Sequence, residues 1–322
     1  MTRILLTGAA GFIGSHVAEA LLARGDEVIG LDNFDPFYPR EVKERNLSGL
    51  WDRAGFAFHE GDILDTGLAQ SLLTPETVVV HLAAKAGVRP SLRDPAGYVR
   101  ANLDGTMALL AAARATGTGR IVFGSSSSVY GDDTPVPFRE DAPCVRPVSP
   151  YAATKRAGEL LLTSLAPHCG FRAAALRFFT VYGPRQRPDL AIHAFTRRMS
   201  AGEPITLFGD GSLSRDYTYC DDIVAGVLAG IDWTATAPVG LEVFNLGGHE
   251  PIPLERMVCE IADALGVTPL IEWGPMQAGD VRHTAADLTK STAVLGFLPR
   301  IAFPEGIHRF VDWYRGAHAR QR

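Results

Sequence analysis

Tyr151 and Lys155 stand four residues apart in "VRPVSPYAATKRAGELLL". At i and i+4 of a helix, a phenol and an ammonium share one face and can converge on one ligand. Ser149 followed by Pro150 makes a credible helix start, a capping hydroxyl and then a first-turn proline. A phenol with an ordinary pKa of ~10 is a poor base at neutral pH. An ammonium ~4 Å away, at an effective dielectric of ~20, contributes roughly 4 kcal/mol and lowers that value by a few units. The pair then reads as a tuned acid/base. Taken alone the spacing is common, and most instances are a surface tyrosine and a solvated lysine. One strand earlier, "RIVFGSSSSVYG" carries Ser125, Ser126, Ser127 and Ser128. Serine runs are usually solvated linkers; the alternative is a strand end that presents hydroxyls to a ligand.

A second group of residues suits a dinucleotide. "ILLTGAAGFIGSH" sets Gly8, Gly11 and Gly14 directly after an apolar run and at the opening of a helix. Small residues there let the backbone approach a pyrophosphate, whose charge sits against the helix N-terminus. Glycines also mark plain tight turns, so the context matters. Asp32 closes the next apolar run, where a carboxylate accepts from ribose hydroxyls and repels a 2′-phosphate. Arg40 and Lys43 are basic but lie farther along a loop, which favours NAD over NADP. Asp62, in "HEGDIL", can reach the adenine amine, or can cap the helix that follows.

Short apolar runs alternate with helix-like segments, the pattern of βαβ units and a parallel sheet. "RILLTG", "DEVIGLD", "FAFHEGD", "TVVVHLAA", "RIVFGSS" and "RAAALRFF" read as buried strands, each apolar throughout rather than alternating. "GSHVAEALLARG", "TGLAQSLL" and "TMALLAAARATG" read as helices between them, "DDIVAGVLAGI" and "LERMVCEIADALG" as later helices, and "EVFNLGG" as a further strand. The predicted fold is α/β, a Rossmann-type doubly wound parallel sheet with a smaller interleaved substrate-binding lobe. Residues 1–183 form the dinucleotide domain, with 217–249 returning to it, and 184–216 and 250–322 form mainly the second lobe.

Composition narrows the function by exclusion. The chain has 322 residues, 46% hydrophobic and 21% charged, ordinary for a soluble globular enzyme. Its net charge of -5, with basic residues scattered, offers no electrostatic case for nucleic acid. Cys144, Cys169, Cys220 and Cys259 lie far apart with no C-x-x-C pair, which argues against disulfides and zinc and fits a reducing cytoplasm. The nine histidines show no ligand spacing, so no metal is inferred. No leader-like or membrane-spanning apolar stretch is present in the sequence.

With these residues in place, the chain resembles the extended short-chain dehydrogenase/reductase family, the nucleotide-sugar epimerases and dehydratases. "TGAAGFIGSH", "GDILD", "HLAAKAGV", "SSSSVYG", "PYAATK", "RFFTVYGP", "SRDYTYCDDI" and "AGDVRHT" fall in family order over nearly the whole length. The resemblance implies that Ser126, Tyr151 and Lys155 form the catalytic set around NAD. Tyr151 would take the proton of the sugar 4-hydroxyl, Ser126 would bond the same oxygen, and Lys155 would hold the nicotinamide ribose. Further cofactor contacts would come from Phe12, Ile13, Asn33, Ile63, Leu82, Ala83, Ala84, Lys85, Asn102 and Phe178. A non-catalytic NAD-binding protein on the same fold would show erosion of the Ser/Tyr/Lys set, which is intact here.

The resemblance also bears on the reaction and the substrate. Dehydratase members carry Thr-Asp-Glu before "VYG", and decarboxylases carry a Glu; here Ser127 and Ser128 stand in those places, as substrate-binding residues. A hydroxyl of ordinary acidity cannot replace a carboxylate as second acid/base, which leaves C4 epimerisation. "DNFDPFYPREVKERN" and "RFFTVYGPRQRPDLAIHAF" are most similar to members acting on UDP-glucuronate, so Arg187 would face the C5 carboxylate with Thr180 helping to hold it. "YGPRQ" also occurs in members acting on neutral sugars, which leaves Arg185 a structural reading, and Lys85 stands where the glucuronate members often have Gln. The enzymatic alternative is a UDP-glucose or UDP-N-acetylglucosamine 4-epimerase. Arg215 and Arg282 would grip the pyrophosphate and Asp280 the ribose, although a surface ion pair is the plainer role for each arginine. A homodimer through the 100–115 and 150–165 helices is implied by the resemblance alone.

Overall fold

The apolar runs of the sequence become strands because their backbone groups pair with one another; most stay dry on both faces, whereas Phe56–Glu60, expected to be buried, lies at a sheet edge and is only partly covered. The computed structural model describes residues 1–319 except 210, 212, 249 and 276–282. Its first six strands are Arg3–Thr7 (β1), Glu27–Asp32 (β2), Phe56–Glu60 (β3), Val78–His81 (β4), Arg120–Ser126 (β5) and Arg172–Phe178 (β6). Thr180–Tyr182 (β7), Ile205–Phe208 (β8) and Ser214–Tyr219 (β9) lie outside the large sheet, and Gly240–Leu246 (β10) rejoins it beside β6. All seven strands of that sheet run parallel, in the order β10-β6-β5-β4-β1-β2-β3. The order reverses between β1 and β4, and ligands of doubly wound sheets bind beyond the carboxyl ends of the strands at that point.

Helices Phe12–Arg24 (α1), Arg40–Leu47 (α2), Thr66–Leu72 (α3), Val88–Arg93 (α4), Pro95–Val99 (α5), Gly105–Thr116 (α6) and Pro150–Cys169 (α7) belong to the crossovers of the sheet. Alternate residues of each strand point to opposite layers. Leu5, Val79 and Ile121 pack with Leu109 and Leu162 of α6 and α7. Ile4, Leu6, Val80 and Val122 face the other way, in one core with Val17 and Leu21 of α1. Further along come Ala191–Ser200 (α8), Cys220–Trp233 (α9), Leu254–Leu265 (α10), Thr289–Leu295 (α11) and Phe303–Ala319 (α12). Pro251–Pro253 (β11) pairs with β9, and Ile271–Gly274 (β12) with β8.

One expectation is corrected. The stretch holding Arg40 and Lys43 reads as loop, yet it forms α2. Its charges hide the helical signal, because the stabilising features are an Arg40–Glu44 pair one turn apart and burial of Lys43, Asn46 and Leu47. No helix among the described residues is long and apolar enough to cross a membrane, and the four cysteines are free thiols.

Candidate active site

The turn from β1 to α1 is built for close backbone approach. Gly8 holds φ +74, and a side-chain carbon there would lie 2.8 Å from the Ala83 amide nitrogen. One at Gly14 would overlap the Gly8 carbonyl oxygen, and one at Gly11 would sit 3.1 Å from the same atom. α1 starts after Gly11 with no side chain capping its first turn, so its opening amides suit an anion. Phe12 and Ile13 follow within that turn, Phe12 buried.

At the end of β2, buried Asp32 accepts from the Ala10 amide at 3.1 Å and from the Phe34 amide at 2.8 Å. Lys43 lies 3.5 Å from the same carboxylate, and both side chains are buried. The expectation that Lys43 is remote is therefore wrong: α2 folds it back onto Asp32. Arg40 is held instead by Glu44 and Glu60. Asn33 donates to Asp62 at 3.0 Å, which joins the ends of β2 and β3. Asp62 is not a helix cap, since Asp65 takes that role by accepting from the Leu68 amide. Ile63 is buried and packs tightly on Gly105. These residues fit a dinucleotide: a glycine cradle that a Cβ would fill, an uncapped helix start, and a carboxylate at the second strand end.

Beyond β4, Leu82 and Ala83 hang on Thr7 through amide bonds of 3.2 Å each, and Ala84 follows, half-buried. Asn102 accepts from the Lys85 amide at 2.8 Å and donates to the Lys85 carbonyl at 2.9 Å and to Thr154 at 3.0 Å. Its amide thus ties this loop to α7. The Lys85 ammonium lies between Asp35 and Asp94, at 3.7 and 3.4 Å. Phe178 closes β6 against Gly124.

Ser149 caps α7 by accepting from the Ala152 amide, with Pro150 at the first position. That start orients Tyr151 and Lys155 toward the end of β5. Lys155 is buried and donates to the Gly124 carbonyl at 2.7 Å, with its ammonium 5.1 Å from the Phe123 ring centre. Burial lowers its pKa to about 8. Burial also raises the Tyr151 phenol, while a hydrogen bond with Ser126 and the charge of Arg187 pull it down. The expectation that Lys155 lowers the phenol by a few units is thus corrected: burial outweighs the opposing causes and leaves the phenol above its ordinary value, the cation that opposes burial is Arg187, and the Lys155 ammonium bonds a carbonyl.

The four serines divide by role. Ser125 donates to Glu159 at 2.6 Å, inside a buried cluster where Arg177 forks onto the same carboxylate at 2.8 and 2.9 Å. Ser126 ends β5, where its hydroxyl accepts from the Ser128 amide at 3.2 Å and donates to the Ser128 hydroxyl at 3.1 Å. Ser127 and Ser128 begin a single 3-10 turn, Ser127–Tyr130.

Arg185 and Arg187 separate clearly. Arg185, at φ +65, turns back to Glu19 of α1 at 2.6 Å. Arg187 turns inward, bonded twice to Asp189 at 3.0 and 2.8 Å and lying over the Phe37 ring. Thr180 opens β7 and is half-buried. Arg215 lies in β9, donating to the Ser214 carbonyl at 3.0 Å among its contacts. Asp280 and Arg282 lie outside the described residues. Sequence reasoning missed Phe37, Tyr98 and Asp189 around Arg187; only Asp189, two residues away in "RPD", carried a local signal.

The NAD dependent epimerase/dehydratase family model matches residues 4–247. The chain is 40% identical to UDP-glucuronate 4-epimerase 5 of Arabidopsis thaliana, over 97% of this chain and 75% of the relative. It is 38% identical to the UDP-glucuronate 4-epimerase of Thermodesulfobacterium geofontis, over 97% and 96%. The solved UDP-glucuronic acid 4-epimerase of Bacillus cereus, in complex with UDP-glucuronic acid and NAD, superposes with a TM-score of 0.92 at 35% identity, covering 98% of this chain and 100% of that one.

Proposed function

The chain belongs to the NAD-dependent epimerase/dehydratase family, and on that premise we propose that it interconverts UDP-glucuronate and UDP-galacturonate by epimerisation at C4. The observation that carries the sugar assignment is the mostly buried Arg187 guanidinium, whose charge acts on Tyr151. A fixed guanidinium there suits a substrate carboxylate, because its donors match two oxygens at once.

Tyr151 takes the proton of the 4-hydroxyl and later returns it to the same oxygen, and Ser126 holds that oxygen by hydrogen bonding. Bound NAD supplies removal of the C4 hydride and its return. Lys155, anchored at the end of β5 by Gly124, is placed to hold the nicotinamide ribose. Ser127 and Ser128 provide hydroxyls to the sugar and no carboxylate, so neither elimination nor acid-assisted decarboxylation has its second acid/base. Thr180 is assigned beside the C5 carboxylate, and Arg215 with the 250–322 segment toward the diphosphate.

A second reading has one observation in its favour. Arg187 already carries Asp189, so a neutral hexose meets no unpaired charge. Incubating the NAD-loaded protein with UDP-glucuronate, UDP-glucose and UDP-N-acetylglucosamine separates the readings; turnover of the hexoses without the uronate would overturn the first. Arg187→Met is expected to lower uronate kcat/KM by about 10- to 150-fold more than hexose kcat/KM, the loss of one charged hydrogen bond of ~1.5–3 kcal/mol, while the change at the phenol acts on both sugars alike. Equal losses would remove Arg187 from the carboxylate.

We also assign the α6/α7 face to a homodimer. Met107 of α6 and Leu160 of α7 stand 38% and 53% exposed, apolar side chains that such an interface would cover. Sedimentation is expected to show a dimer that Leu160→Glu dissociates; a wild-type monomer at micromolar concentration refutes this. The free thiols fit a reducing compartment such as the cytoplasm.

A further inference from the structure

Arg187 has two edges on which a carboxylate can sit with two parallel hydrogen bonds. The side edge is closed: Nε donates to Asp189 Oδ1 at 3.0 Å and Nη2 to Oδ2 at 2.8 Å. One face is covered by Phe37, with the guanidinium carbon 5.0 Å from the ring centre. The end edge, Nη1 with the second hydrogen of Nη2, makes no hydrogen bond among the described residues. Gly87, at φ +117, lies beside the guanidinium, where a side-chain carbon would be 3.8 Å from Nη2, the nitrogen that the two edges share. Asp189 itself is 42% exposed, whereas the Arg187 side chain is only 15% exposed.

We propose that Asp189 is a positioning residue that sets the charge specificity of the sugar site, by holding the side edge of Arg187 so that its end edge meets the substrate carboxylate. This rests on the uronate reading above. A guanidinium carries five donors in a rigid plane, so one carboxylate on the side edge leaves a complete second fork. With the side edge bonded and one face stacked, the remaining fork has one direction. The lost freedom of a long side chain is then met in folding rather than on binding. The Asp189 charge also balances Arg187 before substrate arrives.

Two opposite effects are possible in principle, positioning and repulsion of a second carboxylate, and Asp189 variants separate them. Asp189→Ala removes both the orientation and the charge. Asp189→Asn keeps one accepting oxygen and loses the charge. If Asp189 positions Arg187, Asp189→Ala raises KM for UDP-glucuronate about tenfold with a smaller change in kcat, leaves UDP-glucose within about twofold, and Asp189→Asn recovers part of the loss. The same ratio is read without turnover from calorimetric dissociation constants of the two nucleotide sugars on NAD-loaded Tyr151→Phe protein, with and without Asp189→Ala.

Equal losses on both sugars would show a merely structural residue, and tighter uronate binding in Asp189→Ala would show a competitor; either result overturns the proposal. The wild-type control distinguishes the two levels. If wild type neither binds nor turns over UDP-glucuronate, the uronate reading falls and this proposal with it. If wild type does both and Asp189→Ala keeps the wild-type ratio, only the role of Asp189 falls.

Discussion

Tyr151→Phe protein is expected to fold like wild type and to lose C4 epimerisation by about 10²–10⁴-fold, the range that positioned acid/base groups contribute. The ring remains, so its edge-to-face contact with Tyr98, 6.3 Å between centres, is kept. Only the phenolic oxygen goes, with its bond to Ser126 and its place beside Arg187. Among the described residues proposed to meet the 4-hydroxyl, none substitutes, because Ser126, Ser127 and Ser128 are hydroxyls and Lys155 is bonded to Gly124. The check is product formation with each nucleotide sugar, beside a thermal midpoint; turnover at the wild-type rate would end the mechanism. The pH dependence carries a sign. Burial holds the phenol above its ordinary value, so the rate of proton removal climbs with pH as the base deprotonates. Arg187 pulls the phenol down, so Arg187→Met moves that limb to higher pH.

The second large effect is on stability. Arg177 and Glu159 are buried to 1% and 0% exposure, joined by two bonds of 2.8 and 2.9 Å. Arg177→Met keeps much of the side-chain volume but leaves the Glu159 charge to Ser125 and the partly exposed Arg156. Breaking one side of a buried pair costs about 3–5 kcal/mol, which for a chain this long lowers the thermal midpoint by about 4–7 °C. Removing both charges, as in Arg177→Met with Glu159→Leu, is expected to recover most of that loss. A single variant within about 1 kcal/mol of wild type would show that the pair is not needed.

The pH sign for Glu159 follows from opposed causes. Burial pushes its carboxyl up, and Arg177 with Ser125 and Arg156 more than offset this, so its folded value lies below the ordinary range. Its contribution is therefore present above the unfolded value and lost as pH falls through the folded one. Without Arg177, burial acts with less opposition, and the acid loss begins at higher pH. The cluster matters to the site because Ser125 adjoins Ser126 and Glu159 lies one turn beyond Lys155 on α7.

Much of the fold and part of the site were legible because their requirements are local. Gly8, Gly11 and Gly14 are demanded by a turn whose backbone meets itself and Ala83, and a turn of that kind leaves its spacing in the sequence. Ser149, Pro150, Tyr151 and Lys155 follow from one helix start. The strands were legible from apolar runs, since a strand covered on both faces has no polar alternative. The helix α2 was not, because its stability comes from one charge pair and from burial that depends on the sheet beneath it.

By itself, then, the sequence determined the doubly wound sheet, the dinucleotide loop, the tyrosine-lysine helix and the absence of a carboxylate at Ser127 and Ser128. Only the tertiary structure decided the partners. Lys43 reaches Asp32, Lys155 reaches the Gly124 carbonyl across 31 residues of chain, and Arg177 reaches Glu159 across 18. It also sent Arg185 to Glu19 and Arg187 to the Phe37 ring, although the two arginines are two residues apart. The physical reason is range. Periodicity and turn chemistry act within a few residues, whereas the charge that tunes a buried group comes from whichever chain segment the sheet order lays beside it.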